Sequence, residues 1–121
     1  PYSQQEAVPL LQGADILLHT KYNDPCPCLV LEAMACGLPV VYSGTGGLPE
    51  LVGEEGGVGV PGPLDWDEEH PPDSQKLAEA VLQTVSSLEY YQEAARQRVV
   101  DHFDTRIWLQ RHHYVFTAIL H

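Results

Sequence analysis

Basic side chains are scarce in this sequence. Six Lys and Arg stand against 17 Asp and Glu, a net charge of -11. Nucleic acid and anionic membranes are bound through basic patches, so the balance speaks against both partners. Cysteine is scarce too. There are three, two of them in Cys26-Pro27-Cys28, which makes neither a disulfide framework nor a zinc set. A reducing cytoplasm is the expected compartment. No apolar run is long enough to span a bilayer, and no signal peptide opens the chain. Methionine occurs once, at Met34, and not at the start, so the chain is expected to be a fragment. Repeats and low-complexity tracts are absent. What remains, at 121 residues and 44% hydrophobic, is enough for one domain with a modest core.

In order, Ser3 to Gly13 has a helix pattern. Ser3 and Glu6 have capping-box spacing, Val8, Leu10 and Leu11 give a rough apolar face, and Pro9 is expected to break it. Ala14 to His19 is a short apolar run, expected to be a buried parallel strand. A polar loop, Thr20 to Pro27, leads into a helix that starts near Cys26 and stops at Gly37. Leu38 to Tyr42 is a second strand, Ser43 to Gly47 a tight loop, and Pro49 opens a short helix to about Gly53. Gly57 to Val60 is a third strand. Residues 61–73 form an acidic, Pro-rich loop. Closing helices fill 74–121. The first is capped by Asp73 or Ser74, with Leu77, Val81, Val85 and Leu88 as its stripe. The second runs over Glu89 to Phe103. The last is capped by Asp104 and carries Ile107, Trp108, Val115, Ala118 and Ile119 at helical spacing. Arg96, Arg98, Arg106 and Arg111 are expected to form a solvated surface. Strands alternating with helices predict an α/β fold: a Rossmann-like parallel sheet with helices on both faces.

The chemistry gathers between Asn23 and Glu50. The helix over Leu29–Cys36 is apolar on every side apart from Glu32. A helix of that kind is normally buried, and a lone buried carboxylate is costly. Glu32 therefore either escapes to solvent or faces a site. Ligands of open parallel sheets bind outside the carboxyl ends of the strands. Two loops leave such ends, 20–27 and 43–47. The first brings Asp24 to a helix N-terminus, whose free amides suit phosphate. The second brings Gly44, Gly46 and Gly47, which allow close approach to backbone amides. Glu32 lies one turn above Cys28, leaning back toward the same end. Carboxylates accept from sugar hydroxyls and amides donate to phosphate, so this set suits a nucleotide sugar. Blander roles exist for each residue. Asp24 can be a turn residue beside Pro25, the glycines a simple turn, and Glu50 a first-turn acid complementing its helix dipole. Cys28 and Cys36 suit small core positions, and His19 a satisfied rim position. His112 and His113 are adjacent, so they diverge on a helix and make no metal pair.

The same stretch resembles the C-terminal domain of group 1 glycosyltransferases, retaining enzymes built from two Rossmann domains (the GT-B type). That family carries two acids separated by seven residues, then E-A-M-A-x-G-x-P-V-V, then G-G-x-x-E. Glu32, Ala33, Met34, Ala35, Gly37, Pro39, Val40 and Val41 match the middle block; Gly46, Gly47 and Glu50 match the last. The resemblance extends in order over nearly the whole chain. It implies that Glu32 binds the donor's ribose hydroxyls and that Asp24, at the first acid, touches the transferred sugar and is the catalytic candidate. Amides at Cys28 and Leu29, with Gly46, Gly47 and Glu50, complete the donor-binding set. The family usually has Glu where Asp24 stands, and Phe-Gly where this chain has Cys26-Pro27.

The resemblance further implies that residues 1–121 are the second half of the donor-binding domain. Preceding strands would bring the Arg and Lys that neutralise the diphosphate, and nothing here matches them. The parent is expected to move a sugar from a nucleoside diphosphate sugar to an acceptor hydroxyl with retention. It would use no metal and no cofactor besides that donor. A nucleotide-sugar epimerase of the same fold and a non-catalytic binding or assembly module are the other classes. The expected partners are the donor, a hydroxyl acceptor and the missing N-terminal part, to which any membrane contact would belong. An uncovered strand edge is expected to drive self-association.

Overall fold

The computed structural model describes residues 2–120. Its elements run in the order α1 (Gln4–Gln12), β1 (Leu17–His19), α2 (Cys28–Ala35), β2 (Val40–Ser43), α3 (Leu48–Val52), β3 (Gly57–Val60), α4 (Ser74–Ser86), α5 (Leu88–His102) and α6 (Thr105–Leu120). The strands form one parallel sheet in the order β1-β2-β3. Leu17 is in register with Val40 and His19 with Tyr42; Val40 is also in register with Gly57 and Ser43 with Val60. The α/β class and the Rossmann-like parallel sheet expected from the alternation of elements are therefore present.

β2 is central and buried along its whole length, as a continuous apolar run demands. Its side chains alternate between the two faces. Val40 and Tyr42 pack with Val30 and Met34 of α2, Leu48 and Val52 of α3, and Ala95 of α5. Val41 packs on the other face with Val60 of β3 and Ala80 of α4. Helices thus cover both faces. A smaller cluster joins Leu11 of α1 to Ala33 and Leu38. Val8 and Leu10, expected on the apolar face of α1, are about half exposed.

Several boundaries differ from expectation, each for a local reason. α1 continues through Pro9, because a proline forfeits its own amide bond while the amides of Gly13 and Ala14 close the last turn. Those same bonds tie residues 13 and 14 to α1, so β1 starts only at Leu17, whose N–H reaches Pro39 O at 3.0 Å. α2 starts at Cys28 rather than Cys26. Pro27 is its N-cap, with ψ 112°, and a residue before proline resists helical geometry. β2 begins at Val40 rather than Leu38, since Leu38 N–H closes the end of α2 on Ala33 O.

The closing helices depart further. α4 turns Ala80 and Thr84 inward and leaves Val85 about half exposed. Small side chains let it lie close to the sheet, and Thr84 Oγ1 donates to Ala80 O, so its hydroxyl is satisfied. Arg96 and Arg98 of α5 are not simply solvated. Arg96 donates to Ala35 O, and Arg98 to Leu51 O and Glu50 O at 2.7 Å each. Both therefore cap carbonyls at the ends of α2 and α3, where a cation is favoured. Arg106 pairs with Asp104. α6 buries no residue; Trp108, Val115 and Ile119 of its expected stripe are exposed. Among the described residues, no helix is long and apolar enough to cross a membrane.

Candidate functional site

The parallel pairing of β1 and β2 brings their carboxyl ends side by side, so loops 20–27 and 43–47 meet. They interlock. Asn23 N–H donates to Thr45 Oγ1 at 3.0 Å, and Gly47 N–H donates to Asp24 O at 2.9 Å. Asn23 has φ 48°, a left-handed conformation that Asn tolerates better than most residues. Gly46 has φ 66°, and a Cβ there would lie 2.6 Å from Asp24 O. A Cβ on Gly47 would collide with Pro25 O. The close approach that these glycines allow is thus to the neighbouring loop in the first place. The amides of Gly44 and Gly47 are already used, by Val60 O and Asp24 O. Gly46→Ala is expected to cost about 1–3 kcal/mol through strain and overpacking. An unchanged urea midpoint would show that the loops do not lock this way.

Asp24 is buried at 8% exposure. Its Oδ2 lies 3.1 Å from His19 Nε2 and 3.5 Å from Lys21 Nζ. His19 is the last residue of β1, so the strand end aims the imidazole at the loop that follows. Oδ1 has no hydrogen-bond partner among the described residues and is not sealed from solvent. The sequence hinted at His19 only through its place at a strand end. The contact with Asp24 depends on how loop 20–27 folds back.

The N-terminus of α2 comes next. Val30 N–H folds back onto Pro27 O at 3.1 Å, and Pro27 offers no side-chain cap. The amides of Cys28 and Leu29 are left open at the positive end of the helix dipole. Val30, Ala33 and Met34 are buried, while Cys28 and Glu32 are exposed one turn apart. Glu32 escapes to solvent on that open strip, so its apolar surroundings do not trap it. Cys28 is a surface residue, not a core one. Glu50 lies in the first turn of α3 with an exposed side chain; its backbone carbonyl accepts from Arg98. The structure thus joins Asp24, Gly46 and Gly47 directly, and sets Cys28, Leu29, Glu32 and Glu50 on the helices that leave those loops.

The acidic loop 61–73 also belongs here, which its composition did not reveal. The Tyr22 hydroxyl sits 2.6 Å from Pro63 O and accepts from Asp65 N–H at 2.9 Å. Asn23 Nδ2 donates to Asp65 O at 2.8 Å. The Asp65 carboxylate gathers the loop on itself. Its Oδ1 accepts from the amides of Asp67 and Glu68, and its Oδ2 lies 2.8 Å from His70 Nε2. The His70 hydrogen bond first, then those two amides, hold the Asp65 carboxyl down at about 2. Asp65, Glu68 and His70 bring possible ligand atoms within 4.8 Å of one another, but both Asp65 oxygens are already engaged. A folded pKa below the unfolded value gives stability that is full above about 3.8 and lost as pH falls through about 2. The Asp67 and Glu68 amide resonances are expected to move together with a midpoint near 2. Titration near 3.8, the ordinary value, would show that the loop is not gathered on Asp65.

Cavities flank these elements. One of about 370 Å³ is lined by Asn23, Pro25, Gly46, Gly47, Leu64 and Trp66. A larger one, about 540 Å³, runs beside β3 and includes Tyr42, Gly59, Gln83 and Tyr91. Neither is lined by Asp24, Cys28 or Leu29, but the smaller one is lined by Gly46 and Gly47, whose loop packs on the Asp24 loop.

The family "Glycosyl transferases group 1" matches residues 2–87. The chain belongs to this family. A D-inositol 3-phosphate glycosyltransferase of Corynebacterium jeikeium is 44% identical over 69 residues, 54% of this chain and 16% of that protein. An alpha-maltose-1-phosphate synthase of Mycobacterium tuberculosis is 35% identical over 99 residues, 78% of this chain and 24% of that protein. Among solved structures, sucrose-phosphate synthase from Thermosynechococcus elongatus superposes with a TM-score of 0.74 at 26% identity, over 92% of this chain and 27% of that one. The chain therefore spans a quarter or less of the curated relatives just named. In this group 1 glycosyltransferase chain, the loops that interlock at Asp24 and Gly47 and the open start of α2 all lie within the matched residues.

Proposed function

We propose that this chain supplies part of the donor site of a glycosyltransferase that moves a sugar from a nucleoside diphosphate sugar to an acceptor hydroxyl with retention. The observation that carries the reading is the pair of open amides at Cys28 and Leu29, at the start of the helix that follows the loop of the buried acid Asp24, at the carboxyl ends of parallel strands. In this reading the diphosphate lies against those amides, with Lys21 as the nearby cation. Asp24 Oδ1 accepts a hydroxyl of the transferred sugar. Glu32, one turn into α2, accepts the ribose hydroxyls. Gly46 and Gly47 hold the loop against Asp24, and Glu50 lines the start of α3. No metal is required, because the helix end meets the anion.

The test is a calorimetric titration of the chain with uridine, guanosine and adenosine diphosphates. Saturable binding of one of them supports the reading. No binding to any at millimolar concentration contradicts it. Product analysis of the full-length parent with the matching nucleotide sugar separates a transferase from an epimerase, which would return an altered sugar still joined to its nucleotide.

A further inference from the structure

We propose that Trp66 and Leu64 form a stacking wall for a pyranose ring, so that loop 61–73 sets the sugar selectivity of the site. The proposal deepens the donor-site reading and rests on it for the position of the ring. Trp66 is 85% exposed and Leu64 81%. Single exposed apolar residues are common and mean little alone. Here, though, the loop that carries them is fastened at two levels. Tyr22 and Asn23 bind its backbone at Pro63 and Asp65, and Asp65 binds His70 and two loop amides. The indole is exposed on a held support, not on a free tether.

The cavity behind it fits a sugar in size and chemistry. Its volume, about 370 Å³, lies within the roughly 300–1,000 Å³ range of small-molecule sites. Trp66, Leu64 and Pro25 give it apolar lining, and Asn23 is the polar side chain in that lining. Asn23 Oδ1 is buried and lacks a hydrogen-bond partner, alone among the described residues in this. A buried acceptor without a donor is costly, so a ligand hydroxyl that draws the Asn23 side chain toward the cavity would satisfy it. A pyranose presents an apolar C–H face to an indole and hydroxyls around its rim. Gly46 and Gly47 line the same cavity and pack directly on the Asp24 loop. The wall therefore stands at the Asp24 end of the site. Glu32, assigned to the ribose, is a helical turn beyond Cys28.

The experiment reads Trp66 fluorescence in the 121-residue chain carrying Trp108→Phe, which leaves Trp66 as its one tryptophan. Iodide quenching is measured alone, with the nucleoside diphosphate that binds best, with its glucose and mannose conjugates, and with methyl glucoside added to the nucleoside diphosphate complex. Protection by a nucleotide sugar but not by the bare nucleotide places the transferred sugar on the wall. Protection only when the free glycoside is added places an acceptor sugar there. Either outcome supports the proposal. Trp66→Ala should then weaken the protecting ligand roughly 2- to 10-fold and leave nucleotide affinity unchanged. Equal protection by the bare nucleotide would mean that the indole stacks on a base, and would overturn the proposal. Calorimetric binding of nucleotide sugar with no protection would also overturn it while leaving the donor site standing. Protection by glycoside without any nucleotide binding would keep the wall and remove the donor site.

Discussion

Glu32→Gln is expected to weaken nucleoside diphosphate binding roughly 10- to 100-fold. Glutamine keeps the shape of the side chain but removes the charge. A hydrogen bond to a charged group contributes about 1.5–3 kcal/mol, and each 1.4 kcal/mol is a factor of ten in affinity. The exposed position of Glu32 on α2 sharpens the test, because no buried partner is lost with the charge. Stability should therefore change by no more than about 0.5 kcal/mol, as for ordinary surface substitutions. A surface acid with no ligand would leave both quantities unchanged. The comparison is calorimetric for affinity and denaturant-based for stability.

Asp24→Asn is expected to act on the transferred sugar instead. In the full-length parent, turnover should fall on the order of 100-fold, the scale on which removing one preorganised electrostatic group slows an enzyme. Affinity for the bare nucleoside diphosphate should stay within about threefold, since that ligand lacks the sugar; threefold is below 1 kcal/mol. Folding should survive, because Asn can still accept from His19 at the Oδ2 position. Asp24→Ala should not be so benign. It leaves the mostly buried His19 imidazole without its partner, at about 1–3 kcal/mol. If Asn and Ala reduce stability equally and neither changes transfer, Asp24 serves the loop alone.

Much of this was legible in the sequence because it depends on short-range pattern. The Val40–Val41–Tyr42 run marked the central strand. The loops after His19 and Tyr42 were placed side by side once two parallel strands were inferred. Gly57–Val60 was placed to the residue. What escaped depends on partners far along the chain. Loop 61–73 looks like an acidic linker until Tyr22 meets Asp65, 43 residues away. Arg98 looks solvated until it finds Leu51 O, 47 residues away. Val85 has stripe spacing, but the contact with the sheet selects the smaller Ala80 and Thr84. Gly46 and Gly47 announce a close approach without saying to what, and the structure supplies the Asn23–Pro25 backbone. The apolar surroundings of Glu32 left open whether it escapes to solvent or faces a site, and the Cys28–Glu32 strip is exposed.

Amide chemical-shift mapping with the best-binding nucleoside diphosphate tests the central claim most directly. The account predicts the largest perturbations at Cys28, Leu29 and Gly46, with smaller ones at Asp24 and along the exposed strip of α2. Perturbations centred on Tyr42, Gly59, Gln83 and Tyr91, around the larger cavity beside β3, would contradict it by placing the ligand elsewhere.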